Sequence, residues 1–217
     1  MSEMKVFRFD VDEDFAKQNN EMLKDTKRLV VSGVSMFVIS LIAAALIWFF
    51  VPADSPWHLL GTIGLTLFGI MMLIVALAVP RSVGKAQALY DRYPLAPAII
   101  AEVNDRDFVL MALVNTNVDP SLPPRWGAAL RTVTRINGVD PKVGTKVPVA
   151  AVLGQRSGQD KDHWQEISPM PIAWGTPDQD VVTEARKAIP QDQWQRLEKA
   201  RKRLDDVKKT SHNLLVL

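Results

Sequence analysis

Two stretches of this chain carry no ionised side chain: Leu29 to Val51, 23 residues, and Leu59 to Val79, 21 residues. At about 1.5 Å of rise per residue, either stretch as a helix crosses the roughly 30 Å hydrocarbon core of a bilayer. The alternative, two core helices apolar on every face, needs more enclosing protein than 217 residues supply. The average composition, 47% hydrophobic and 23% charged, conceals this segregation because everything outside the two runs is charge-rich. Between them lies "PADSPWH" (52–58). Pro52 and Pro56 stop helices, Asp54 and Ser55 supply turn chemistry, and Trp48 and Trp57 fall where interfacial aromatics belong. The pattern predicts a transmembrane hairpin with a short external turn. A cleaved signal peptide fits poorly: the first run is longer than a signal h-region, follows an acidic leader and is succeeded by a second span.

Orientation follows from nearby cations. Lys17, Lys24, Lys27 and Arg28 precede the first run, Arg81, Lys85 and Arg92 follow the second, and the turn has none. Positive charge is retained inside, which places both termini in the cytoplasm and makes the protein multi-pass in the cytoplasmic membrane. The net charge of +2 is mild, and residues 81–217 hold 20 basic and 16 acidic groups with the signs interspersed. That balance argues against a nucleic-acid tract or a polybasic lipid clamp. With no cysteine, disulfides, thiolate nucleophiles and Cys-ligated metals are excluded.

Neither run contains the acidic or basic groups from which ion pathways and proton relays are built. Both contain small and hydroxylated residues, among them Ser40, Gly61, Gly64 and Gly69, which permit close helix approach. These four are candidate contacts either within the hairpin or with helices of other membrane subunits.

The remainder divides as residues 1–28 (a cytoplasmic N-terminal strand and helix), 80–93 (a helical linker), 94–175 (a β-rich domain) and 176–217 (C-terminal helices). In "KVFRFDVDEDF", alternation of Phe7, Phe9 and Val11 predicts a strand over 6–11 pairing with the β-rich domain. Asp12 then caps a helix that leads into the first span. After Pro80 a helix is expected to about Arg92. Strands are expected at 97–103, 108–115, 127–136 and 145–153, separated by turn-rich segments. About twenty residues, "RINGVDPKVGTKVPVAAV", have the cadence of SH3-like or OB-like barrels, a likeness that implies no activity. The fold class expected is an α+β membrane protein: a two-helix transmembrane hairpin, a cytoplasmic small β-barrel or open sheet, and C-terminal helices.

"WQEISPMPIAWGTPDQD" (164–180) cannot form a regular helix. Trp164, Met170 and Trp174 are candidate partner contacts, since such residues concentrate at interface hot spots, or else tryptophans closing the end of the barrel. In the tail, Trp194, Leu197, Leu204 and Val207 share a helical face, and Glu198 with Lys202 forms an i, i+4 pair. The basic run Lys199 to Arg203 reads as a solvated face beside Glu198, Asp205 and Asp206.

No enzyme is indicated, and no catalytic, cofactor-binding or metal-ligating residues are assigned. Asp160, Asp162, His163 and Glu166 could hold a cation by composition, but they lack the two-His spacing or Gly-centred loop of metal motifs, and a solvated loop is preferred. No P-loop, dinucleotide fingerprint or nucleophile elbow is present.

The sequence "FDVDEDFAKQNNEMLKDTKRL", the hairpin, the β-rich domain and "ISPMPIAWGTPD" together resemble an uncharacterised family of two-span membrane proteins from mycolic-acid-producing, high-GC Gram-positive bacteria. The resemblance implies a bacterial cytoplasmic membrane. It also implies a role among the small accessory subunits of the cytochrome bcc–aa3 respiratory supercomplex. The expected function is a non-catalytic accessory or assembly subunit whose partners are integral membrane subunits and the lipid bilayer. A self-associating scaffold or small channel, and a membrane-tethered ligand sensor, are the alternatives.

Overall fold

In the computed structural model, residues 4–156 and 158–217 are described. They divide into two units: the described part of Met1–Glu21 with Lys85–Leu217, and Met22–Gly84.

The second unit is a pair of helices, α2 (Glu21–Phe50, whose first residue belongs to the other unit) and α3 (Pro56–Val83). Both are long and apolar enough to cross a membrane. Ser55 caps α3 by accepting from the Trp57 N–H, and Pro56 takes the N1 position, where its missing N–H costs nothing. The helix thus begins three residues before the expected start of the second span. Pro80 is accommodated inside α3, which ends where Gly84 adopts φ +74°, a conformation costly to any residue with a Cβ. The continuous helix expected to Arg92 is therefore broken, and a separate α4 (Ala86–Arg92) follows.

The first unit is built on a sheet. Among the described residues six strands, β1 (Leu95–Val103), β2 (Phe108–Asn115), β3 (Trp126–Val133), β4 (Lys146–Leu153), β5 (Ile167–Pro171) and β6 (Leu214–Val216), pair antiparallel in the order β5-β4-β1-β2-β3-β6. The result is a half-barrel. Two strands lie in segments where none was expected: the proline-rich stretch supplies β5, and the end of the segment assigned to C-terminal helices supplies β6. Prolines in β5 are tolerated because it is an edge strand. Pro97 and Pro148 sit directly opposite one another on the inner strands β1 and β4. Neither has a ladder partner on its other side, since the β1–β2 register starts at Ala98 and the β4–β5 register at Val149. The missing N–H groups therefore break no ladder.

The inner strands are buried almost continuously because both faces of the sheet are covered. On one side α5 (Gln179–Ala188) and α6 (Gln191–Ala200) insert Val182, Ala185, Trp194 and Leu197. Curling of the sheet brings β5 across to β3, where Arg131 Nη1 donates to Ser168 Oγ at 2.8 Å and its guanidinium stacks 5.1 Å from the Trp174 ring centroid. After a 3₁₀ turn at Arg201–Arg203 comes α7 (Leu204–Lys208). Glu198 pairs with Arg201 at 2.6 Å rather than with Lys202, because that turn departs from α-helical spacing.

The N-terminal segment 6–11 does not become a strand. It runs extended and is tied by isolated bonds: Leu95 N–H to Lys5 O at 2.8 Å, Val11 N–H to Gln87 Oε1 at 2.8 Å, and Gln87 Nε2 to Phe9 O at 2.9 Å. The ladder is unavailable because β1 already pairs on both sides with β2 and β4. Asp12 caps α1 (Glu13–Asn19) as expected, accepting from the N–H groups of Asp14 and Phe15. The helix does not continue into α2. Asn20 is extended and wholly buried, its amide donating to the Met170 sulfur at 3.3 Å.

Candidate functional site

Within the helix pair, the small residues divide by role. A Cβ on Gly33 would lie 2.9 Å from the Ala76 Cβ, and one on Gly69 would lie 3.2 Å from the Ser40 Cβ. Ser40, Ala44 and Ala76 are buried. These positions form the seam between α2 and α3. Gly61 belongs to it too, its Cβ position 3.0 Å from Ile47 Cδ1. Gly64 meets nothing within 4 Å. Of the four span candidates, Ser40, Gly61 and Gly69 are therefore used inside the hairpin, and Gly64 alone opens outward. Most large apolar side chains of both helices are exposed, with Phe49, Phe50 and Trp57 more than 70% accessible around the turn.

In the sheet unit, Met170 and Trp174 are fully enclosed. They are not the outward-facing partner contacts that their composition suggested. Trp174 fills the half-barrel and donates from Nε1 to Arg135 O at 2.8 Å, while Tyr90 beside it donates to Pro171 O at 2.7 Å. Burial raises the Tyr90 pKa far above the ordinary phenol value and keeps it a neutral donor. Large aromatics in a proline-rich segment were ambiguous in sequence because both a hot spot and a core demand the same residue types. Trp164 does reach the surface: it is half-buried, its backbone N–H donates to Thr116 O at 2.7 Å, and Arg156 stacks 4.9 Å from its ring centroid.

The acidic loop does not converge on a metal. His163 Nδ1 lies 2.9 Å from Asp160 Oδ2, and the same carboxylate accepts from the His163 and Asp162 N–H groups. Its hydrogen bond to His163, the largest influence, and those to the two backbone amides hold the Asp160 carboxyl below the usual carboxylate range. Among the described residues no three His, Asp or Glu side chains gather as a metal group. The loop closes by bonding to the β2–β3 connection, with Val118 N–H donating to Asp162 O at 2.8 Å.

The feature that sequence reasoning missed is a groove of ≈ 470 Å³ at the outer end of β3. It is lined by Arg125, Trp126, Arg196, Lys199, Arg203 and Leu217 among others. Arg196, Lys199 and Arg203 are spaced i, i+3, i+7 along α6 and the following turn, while Arg125 comes from the β2–β3 connection. Folding brings cations about 70 residues apart in sequence onto one concavity. Two of the three acidic neighbours that made this run look neutral are engaged beside it: Glu198 by Arg201, and Asp206 by Arg203 at 3.5 Å. Among the described residues Arg125, Arg196 and Lys199 form no salt bridge.

A family model described as "Protein of unknown function (DUF3239)" matches residues 81–205. A crystal structure of "a putative membrane protein from Corynebacterium diphtheriae" is 56% identical, with a TM-score of 0.55, over 57% of this chain and 99% of that one. Among curated proteins none matches. These findings agree with the resemblance to a membrane-protein family of mycolic-acid-producing bacteria.

Proposed function

We propose a function from the premise that this chain belongs to the DUF3239 family of proteins of unknown function. It acts as a non-catalytic accessory or assembly subunit of a larger complex in the bacterial cytoplasmic membrane. The two apolar helices span the bilayer, both termini lie in the cytoplasm, and the half-barrel meets the inner face of the partner. The observation that carries this reading is the division of the hairpin surface: a narrow internal seam of small residues, and an outward apolar face on which Gly64 leaves a gap that the chain itself does not fill. The sheet unit supports it, since Trp174, Met170 and Tyr90 occupy the half-barrel interior where a sensor of that plan would hold its ligand. The family match, residues 81–205, covers most of the sheet unit. The cytochrome bcc–aa3 supercomplex is the host we put forward first, on the resemblance alone.

Purification of the tagged full chain in mild detergent, followed by mass spectrometry, tests the reading. Reproducible co-elution of the subunits of one larger complex is expected, and elution alone would refute it. Terminal tags should be inaccessible from outside intact cells. Self-association through the Gly64 face is the second reading, favoured by the same open position.

A further inference from the structure

We infer that the groove bounded by Arg125, Arg196, Lys199 and Arg203 is a binding site for a phosphate-bearing anion. The inference goes beyond the accessory-subunit reading and is independent of it, because it concerns what the purified chain binds by itself.

Like charges three and four residues apart on a helix repel. Here Arg196 and Lys199 stand three residues apart on α6, Arg203 joins them from the following turn, and Arg125 is brought to the same groove from another element. Among the described residues the fold places no carboxylate in an ion pair with Arg125, Arg196 or Lys199, although Glu198, Asp205 and Asp206 are close in sequence. An anion in the groove offsets the repulsion. The donor set suits phosphate, because guanidinium forks match tetrahedral phosphate oxygens two at a time and an ammonium adds a compact charge. The backbone beneath is fixed: Thr116 N–H donates to Arg125 O at 2.9 Å, Leu217 N–H donates to Trp126 O at 3.0 Å, and Ala200 and Leu197 seat α6 in the core. Trp126, Pro124 and Leu217 add an apolar wall beside the cations. At ≈ 470 Å³ the groove has the volume of a small-molecule site. Charge on one side and hydrocarbon on the other fit a phosphate ester or diphosphate carrying an organic group, either free or as the headgroup of an anionic lipid.

The full chain, reconstituted in nanodiscs of zwitterionic phosphatidylcholine, is titrated calorimetrically with inorganic pyrophosphate. A second titration uses short-chain phosphatidylglycerol below its micelle concentration. Saturable binding of at least one probe is expected, weakened tenfold or more by Arg196→Gln combined with Lys199→Gln. Arg106→Gln, a cation lost from the β1–β2 turn, should leave it unchanged. Binding of pyrophosphate alone identifies free phosphate compounds as the source, and binding of the lipid alone or of both identifies the headgroup. The proposal is overturned if neither probe binds, if Arg106→Gln weakens binding as much as the double variant, or if polyglutamate binds equally with the same residue dependence. Unchanged thermal unfolding of the variants, expected because the altered side chains are exposed, separates lost binding from lost folding.

Discussion

The carboxylate of Glu21, the first residue of α2, accepts from both the backbone N–H and the hydroxyl of Thr134, and its Oε1 also takes the Arg135 N–H at 3.2 Å. The Glu21 side chain, which belongs to the sheet unit, is thereby tied to the segment that follows β3 within that unit. A hydrogen bond to a charged group is worth about 1.5–3 kcal/mol when protected, and less where water competes. Glu21→Ala should lower the stability of the sheet unit by about 1–2 kcal/mol. Thr134→Val should be non-additive with it in a double-mutant cycle, read by urea unfolding. Full additivity would show that the two groups do not interact in solution.

Gln87 of α4 ties the N-terminal segment within the sheet unit. Its side chain accepts from the Val11 N–H at 2.8 Å and donates to Phe9 O at 2.9 Å, while its own N–H donates to Glu13 Oε1 at 3.0 Å. Gln87→Ala should accelerate hydrogen exchange at Val11 by at least about tenfold, because this amide has no ladder partner to fall back on. Protection elsewhere in the sheet should persist.

Glycine substitutions separate the seam of the hairpin from its outer face. Gly33→Leu and Gly69→Leu place atoms where Ala76 and Ser40 already sit, and should destabilise the helix pair in detergent. Gly64→Leu should leave the pair intact, yet abolish co-purification of partners or crosslinked oligomers. A Gly64 variant that retains every association would eliminate this face as an interface.

Trp174→Ala should cost about 3–5 kcal/mol, the usual range for a wholly enclosed aromatic, and also strands the Arg135 carbonyl that it bonds. Trp164→Ala, at a half-buried position, should cost far less. Denaturant midpoints of the two variants measure the contrast, and the reverse order would contradict the burial described.

The Asp160–His163 pair makes a pH prediction. The folded-state pKa of Asp160 is depressed, so its contribution to stability is present above the unfolded-state carboxylate pKa and is lost as pH falls through the lower folded value. His163→Ala removes the largest cause, and should move the Asp160 titration back toward the ordinary carboxylate range. Side-chain carboxyl NMR shifts follow it directly, and an unmoved titration would contradict the assignment.

Much of the architecture was legible because it depends on local chemistry. Two uncharged runs of spanning length, Asp12 as a cap, and four of the strands follow from periodicity and from groups that bond within a few residues. What failed depends on which partner is free. The alternation of Phe7, Phe9 and Val11 is strand-like, but β1 has no open edge to receive it. The end of the tail, expected with the C-terminal helices, pairs instead with the open edge of β3. Met170 and Trp174 have the composition of a partner surface and the location of a core, and only the curl of the sheet decides between them.

The sequence by itself determined where polar and apolar chain must separate, because solvation acts residue by residue and needs no knowledge of distant neighbours. Only the tertiary structure decided which small residues are consumed inside the hairpin, which aromatics are enclosed, and that Arg125 joins the cations of α6 around one groove. Each of these depends on contacts between segments far apart along the chain, and no local pattern encodes such proximity.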